Sequence, residues 1–436
     1  MNHEARLGDS RYERHLRRIF GLLFSISVCL LLAGCSDIPA TATTPAAQAA
    51  TSPAATPPTL LETVVPTVQS RGCSAVQTEP TAAAASIVPA VNEADYMVGP
   101  QDAVVTLVEY CDFQAPICRS MAAVVSNVIN NHPQDVRLIF RPVPLIGRLD
   151  KTELAVQAAI AAGDQGHFWE MYDLLFQNTT DWDALTPEKF EAWLKDKSAQ
   201  IGLEPGKFAN SLKSQSTLDR MNAMYTSAKS FGLQSVPLLL INGQPQPAFS
   251  LDYETVNSVV SLIALGKRQF KECPPFTIDP SKQYIATLHT EKGDAVIELF
   301  ADKAPLAVNS FVFLARQGWF DDITFHRVIA GSLAQTGDPS GTGRGNPGYF
   351  FANEIDPSLK FDSPGMVGMA NQGTDTNGSQ FFITLAAAPQ FNGGFTIFGR
   401  VLSGLEVLEK LTPRDVQVNP RAPAGDRLIS VTVEEK

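Results

Sequence analysis

Apolar positions run almost unbroken from Ile19 to Ala33, behind the basic flank Arg11, Arg14, Arg17 and Arg18. These fifteen positions fall short of the about 20 that a comfortable membrane span needs. They predict the apolar region of a secretory signal. The pattern then vanishes: Thr41 to Pro58 holds only Ala, Thr, Pro, Ser and Gln. Such a stretch buries too little apolar area to offset chain entropy, which predicts an unstructured tether. Beyond it, β-rich runs at Val104–Tyr110 and Val136–Arg141 predict strands. Between them a helical pattern opens at Ala115 and runs to about Ile129. Helical periodicity recurs over Thr152–Ala162, His167–Phe176, Pro187–Lys197 and Thr217–Phe231. Leu238–Ile241 predicts a buried strand, and Asn242-Gly243 a type I′ hairpin. Strands flanking Lys292-Gly293, a helix over Ala304–Arg316, short Gly-punctuated strands and a closing strand at Leu428–Val433 complete the pattern.

Length and composition agree with several domains. The chain has 436 residues, of which 44% are hydrophobic and only 18% charged; the tether accounts for much of that low charge. The net charge is −11, and residues 1–34 carry +2, leaving −13 for the rest. That balance argues against binding through phosphate-backbone neutralisation, which needs clustered Lys and Arg. Six Cys and six His are too scattered for a zinc ribbon or finger, and no metal or cofactor is expected. Gly343-Arg344-Gly345-Asn346-Pro347-Gly348 fits a dinucleotide-binding spacing, but Pro347 suits a turn where that motif requires a helix start.

Three resemblances follow from residue strings. Leu32-Ala33-Gly34-Cys35 resembles the lipobox of bacterial lipoproteins. It implies a lipid on Cys35 and anchoring at the outer face of a bacterial membrane. Glu109-Tyr110-Cys111-Asp112-Phe113-Gln114-Ala115-Pro116-Ile117-Cys118 resembles the active-site stretch of DsbA-type thioredoxin-fold proteins, as does Gln165–Phe176 in the helical insert. Val236-Pro237 matches that family's cis-proline loop. The redox site is degenerate: Ala115 stands where the attacking thiolate belongs, and Cys118 matches the resolving position. Cys111 lies seven residues before Cys118, so a bond between them is possible but is not the family's geometry. Cys73 and Cys273 flank the domain. In an oxidising compartment they are a candidate disulfide; two independent small apolar residues is the other reading.

Phe325-His326-Arg327-Val328-Ile329, Gln335-Thr336-Gly337-Asp338, Gly368-Met369-Ala370-Asn371, Thr376–Ile383 and Phe398-Gly399-Arg400-Val401 resemble the cyclophilins, peptidyl-prolyl isomerases with a closed eight-stranded barrel. By resemblance Arg327 is the catalytic arginine, Gln335 holds substrate and Phe382 floors the proline pocket. Ala370 and Gln380 match the neighbouring peptide subsite, and Asn371 a backbone-binding position. Bond rotation needs no proton transfer, so His326 reads as structural. Arg327 as a structural ion-pair partner and Phe382 as barrel core remain the plainer alternatives.

The pocket also departs from the pattern. Ser332 replaces Phe, Leu333 replaces Met, Gln390 stands where Trp or a bacterial alternative is found, Phe391 at a Leu position and Phe395 at a His position. Leu333, Phe391 and Phe395 are still expected to bind substrate, and the departures imply weakened or altered isomerase activity. The expected architecture is multidomain: signal 1–34, tether 35–95, an α/β thioredoxin-like fold with a helical insert over 96–272, and a closed β-barrel of cyclophilin type over 281–436. The leading reading is a membrane-tethered extracytoplasmic isomerase acting on proline-containing, extended polypeptides and assisting their folding. A non-catalytic polypeptide-binding chaperone or scaffold, and thiol-disulfide exchange through Cys111 and Cys118, stand as alternatives.

Overall fold

The computed structural model describes residues 65–70, 72–77, 87–419 and 421–436. The apolar leader, Cys35 and the Ala/Thr/Pro-rich stretch lie outside the described residues.

The first elements are unexpected. Strands β1 (Val65–Ser70) and β2 (Cys73–Gln77) form a hairpin turning at Gly72, whose φ is 77°. They fall inside the stretch that composition assigns to the tether, and for these residues that expectation is corrected. Local composition cannot show a ladder partner that lies far along the chain.

The α/β domain begins with β3 (Tyr96–Val98) and β4 (Val105–Cys111), followed by α1 (Pro116–Asn131) and β5 (Val136–Pro142). Pro116 starts α1, where its missing N–H costs nothing, and Ala115 is the extended residue before it. The insert holds α2 (Thr152–Gly163), α3 (Phe168–Gln177), the short α4 (Thr179–Trp182), α5 (Pro187–Ser198), α6 (Pro205–Leu212) and α7 (Gln215–Ser230). The chain returns through β6 (Leu238–Ile241), β7 (Gln244–Pro245) and α8 (Tyr253–Leu265). Asn242 and Gly243 take φ of 48° and 80°, as the hairpin signal requires. The sheet order is β3-β5-β4-β6-β7, with β4 and β5 parallel and the other pairs antiparallel. Both faces of β4 are covered: Leu107 and Cys111 join one core, Val108 and Tyr110 another.

The C-terminal domain contains β8 (Tyr284–Thr290), β9 (Gly293–Leu299), α9 (Pro305–Arg316), β10 (Ile323–Thr324), β11 (Arg327–Ile329), β12 (Leu333–Thr336) and β13 (Tyr349–Phe351). It continues with β14 (Met366–Met369), β15 (Phe381–Thr384), β16 (Ile397–Ser403), α10 (Leu405–Leu408), β17 (Arg414–Asp415) and β18 (Arg427–Glu435). Ten strands form one curled sheet in the order β10-β18-β8-β9-β16-β14-β15-β12-β11-β17. The expected closed barrel is corrected here: among the described residues no ladder joins the two edges. Both edge strands are only two residues long, and each pairs with one neighbour alone, β10 with β18 and β17 with β11. The covalent turn at Phe325 and His326 carries the chain from β10 to β11 instead.

The N-terminal hairpin belongs to this domain. Strand β2 pairs with β13, with Phe351 opposite Cys73. Cys73 is disulfide-bonded to Cys273, 200 residues later. The connecting segment packs beside it: the Phe270 ring lies 4.9 Å from Phe313, and its N–H donates to the Pro347 carbonyl at 2.9 Å. The α/β domain is thus inserted between the hairpin and the rest of the β domain.

Candidate active site

Strands β11, β12 and β15 lie side by side, with Arg327 opposite Gln335 and Gln335 opposite Phe382. Directly opposed residues project from one face. A guanidinium, an amide and a phenyl ring therefore form a row across three strands, about 10 Å from end to end. The row extends both ways: Asp415 faces Arg327 across β17, and Gly368 faces Phe382 across β14.

Alternation gives these strands two roles. Val328, Ala334, Phe381 and Ile383 fill the main core. Leu333 and Phe382 point the other way, into a separate cluster with Phe361, Ala388 and Ile397, flanked by Ala370, Phe391 and Phe395. Phe382 is stacked at 5.4 Å on Phe361 and meets Phe391 and Phe395 edge-on, each at 5.5 Å. Glycine is required beneath this ring: a Cβ at position 368 would lie 2.7 Å from Phe382 Cζ and 2.8 Å from Phe361 Cζ. A cleft of about 230 Å³ opens beside Phe395, lined also by Ile355, Pro357 and Leu359.

The polar end is held by directed bonds. Arg327 Nε donates to Asp415 Oδ2 at 3.0 Å. Gln335 Nε2 donates to Gln380 Oε1 at 3.0 Å, and Gln380 Nε2 donates to the Gly345 carbonyl at 2.9 Å. This relay fixes the plane of the Gln335 amide beside Arg327. The Ala370 N–H donates to the Gln380 carbonyl at 2.9 Å. The Asn371 side chain is tied into its own loop, donating to Asn377 Oδ1 and accepting from the Gly373 N–H, each at 3.3 Å. Ser332 is half-buried in the turn between β11 and β12, and Gln390 is exposed. His326 is buried, and burial lowers its pKa, which keeps the imidazole neutral at pH 7.

The glycine-rich segment 343–348 lies in a loop. Asp338 Oδ2 accepts the Gly345 N–H at 3.0 Å, and the segment leads into β13 with no helix at its start. A dinucleotide fingerprint is thereby excluded.

The α/β domain presents different chemistry. Cys111 and Cys118 are bonded to each other, and both are fully buried. Ala115 is buried at the start of α1, and the Val236–Pro237 peptide bond is cis. Asp112 braces the turn: it accepts the N–H groups of Gln114 and Leu145, both at 2.7 Å, and the Thr152 hydroxyl. Glu109 is fully buried with Oε1 unpartnered, and burial pushes its pKa up to about 8.

Arg327, Gln335, Gln380, Leu333, Phe382, Ala370, Phe391 and Phe395 all converge on one face. Sequence reasoning did not single out Asp415 and Phe361 there, and gave no role of their own to Gly368 or, in the other domain, Glu109, which it named only within longer strings. Asp415 follows Arg414 in a turn-rich stretch with no apolar period, so nothing local marks it as a partner of Arg327. Phe361 is one aromatic in an irregular loop. Only Gly368, inside a strand pattern, carried a signal of close approach.

Comparison with known proteins divides the chain in two. The cyclophilin type peptidyl-prolyl cis-trans isomerase/CLD family model matches residues 285–433, and the Thioredoxin family model matches residues 91–260. Peptidyl-prolyl cis-trans isomerase-like 2 of Rhizopus delemar is 47% identical over 158 residues, covering 35% of this chain but only 30% of that protein's length. Peptidyl-prolyl cis-trans isomerase CYP18-1 of Arabidopsis thaliana is 45% identical over 150 residues, covering 34% of this chain and 94% of that protein. Among solved structures, a cyclophilin type peptidyl-prolyl cis-trans isomerase of Cryptosporidium parvum is 35% identical with a TM-score of 0.33, covering 36% of this chain and 99% of its own.

Proposed function

The chain belongs to the cyclophilin-type peptidyl-prolyl cis-trans isomerases, and from that premise we propose that the row Arg327, Gln335 and Phe382 is its isomerase site. The X-Pro amide resists rotation by about 18–20 kcal/mol because the nitrogen lone pair is delocalised. A catalyst must favour the twisted amide, in which that pair is localised on a pyramidal nitrogen. The Arg327 guanidinium donates to the localised pair, which stabilises the twisted state without any covalent step. The Phe382 cluster cups the proline ring, and Gln335 with the Gln380 relay clamps substrate backbone.

The observation that carries this reading is the cross-strand register, with a fixed donor at one end of the row and an apolar floor at the other. A prolyl-peptide isomerisation assay on wild type and Arg327→Ala tests it. The expected result is catalysis by wild type and near loss in the variant. Equal rates would remove Arg327 from the mechanism.

The setting is also a proposal. A lipid on Cys35 would hold the protein at the outer face of a bacterial membrane, on the periplasmic side or the cell surface, where it would assist folding of secreted chains. The basic flank, the apolar run and Leu32-Ala33-Gly34-Cys35 support this. Cell fractionation of Cys35→Ser tests it: the variant should leave the membrane fraction, and unchanged partitioning would refute the anchor.

The thioredoxin-like domain, in this reading of DsbA type, binds extended polypeptide near Pro237. Its support is a groove lined by Val143, Leu145, Ile146, Tyr225, Leu233 and Val236, beside the cis bond. Thiol-disulfide exchange finds less support: Ala115 supplies no thiolate, and the Cys111 and Cys118 sulfurs are bonded and buried. Insulin reduction should be absent, and activity that disappears in Cys118→Ser would reinstate the thiol reading.

A further inference from the structure

Building on the reading of Arg327 as the donor to the prolyl nitrogen, we propose that Asp415 is the positioning residue of this isomerase. Its carboxylate holds the guanidinium in line with Gln335 and Phe382.

Three observations carry this. The backbone brings the two residues together first: β17 is only two residues long, and its ladder places Asp415 directly opposite Arg327. Directly opposed side chains share a face, so the ladder delivers the carboxylate to the row itself. The ion pair comes second. Arg327 Nε donates to Asp415 Oδ2 at 3.0 Å, with the side chains 28% and 19% exposed. Among the described residues no other carboxylate lies within ion-pair distance of Arg327. Third, Asp415 is itself anchored. Its Oδ1 accepts the Gln417 N–H at 2.9 Å, and its carbonyl accepts the Asn419 N–H at 2.8 Å.

The chemistry gives this arrangement a purpose. A guanidinium is a rigid planar fork on a flexible stem. Engaging Nε fixes the plane and leaves the two terminal nitrogens as donors for substrate. Preorganised donors act without reorganising at the moment of reaction. An unanchored Arg327 would still bind, but would spend part of its time pointing elsewhere. The effect therefore belongs in turnover more than in substrate affinity.

Asp415→Asn keeps the shape and the ladder but removes the charge, and Asp415→Glu keeps the charge one methylene further out. Both are compared with Arg327→Ala in the full chain by prolyl-peptide kinetics, urea unfolding and the nitrogen-15 resonance of Arg327 Nε. The expected result for Asp415→Asn is a fall in kcat of about tenfold. KM and the urea midpoint should stay close to wild type, the Nε resonance should shift, and Asp415→Glu should recover part of the rate. Wild-type kcat in Asp415→Asn beside lost activity in Arg327→Ala would overturn the positioning role and leave Arg327 in place. Wild-type kcat in Arg327→Ala would overturn the reading on which the proposal stands, and the proposal with it. A fall in kcat that tracks a lowered urea midpoint would mark a merely structural contact, which also overturns it.

Discussion

The Phe395 ring stands edge-on to Phe382, with centroids 5.5 Å apart and planes at 87°. It makes the same kind of contact with Phe391 at 5.4 Å. The three rings form a triangle at the apolar end of the row.

Phe395→Ala removes two of those contacts. Aromatic pairs contribute about 0.5–1.5 kcal/mol each beyond burial, so urea unfolding should show a loss of at least about 1–3 kcal/mol. Peptide kinetics should show KM raised roughly tenfold, because the cup loses a wall and not its donor. An unchanged KM would place Phe395 outside the site.

Ser332 stands where the family pattern has an aromatic wall. Restoring 50–100 Å² of apolar wall is worth on the order of 1–3 kcal/mol. Ser332→Phe should raise kcat/KM by roughly tenfold or more. No gain would mean that Phe391 and Phe395 already close that side of the cup.

The Cys73–Cys273 bond closes a 200-residue loop around the inserted domain. The double change Cys73→Ser with Cys273→Ser should cost about 2–5 kcal/mol of stability, read by urea unfolding under non-reducing conditions. The hairpin it pins is a small ladder with little stability of its own. Equal stability of the variant and wild type would show the bond to be idle.

Glu109 makes stability depend on pH. The unfolded chain releases this proton near pH 4.5 and the folded chain only near pH 8, because burial penalises the charge. The folded state therefore binds the proton more tightly. Its contribution is complete below pH 4.5 and is lost as pH rises through the folded value. The slope between is about −1.4 kcal/mol per pH unit. Glu109→Gln should flatten the urea stability curve in that window. Asp112 is raised by burial in the same direction, but it is common to both proteins and cancels in the comparison. Parallel curves would show that Glu109 is not the titrating group.

Much of the site was legible because cyclophilin-like strings are contiguous. Arg327, Gln335 and Phe382 each sit in a short recognisable block. Their common face was not legible, since it depends on β11, β12 and β15 being neighbours in one register. Asp415 was invisible for the same reason: it lies 88 residues from Arg327. Most helices are legible from periodicity, but the eight-residue Pro205–Leu212 and the thirteen-residue Tyr253–Leu265 are not.

By itself the sequence determined most of the element types in the two folded regions, the order of those regions, the missing thiolate at Ala115 and the chemistry available at positions 327, 335 and 382. These are local properties: hydrophobic period, turn residues and side-chain type. Only the tertiary structure decided that residues 65–70 and 72–77 belong to the β domain, that the sheet stays open at its two-residue edges, and that Cys111 bonds Cys118 in the interior. It also decided that Asp415 meets Arg327. Each of these rests on strand pairing or side-chain packing between residues brought together by folding, and no local pattern encodes which edges or side chains will meet.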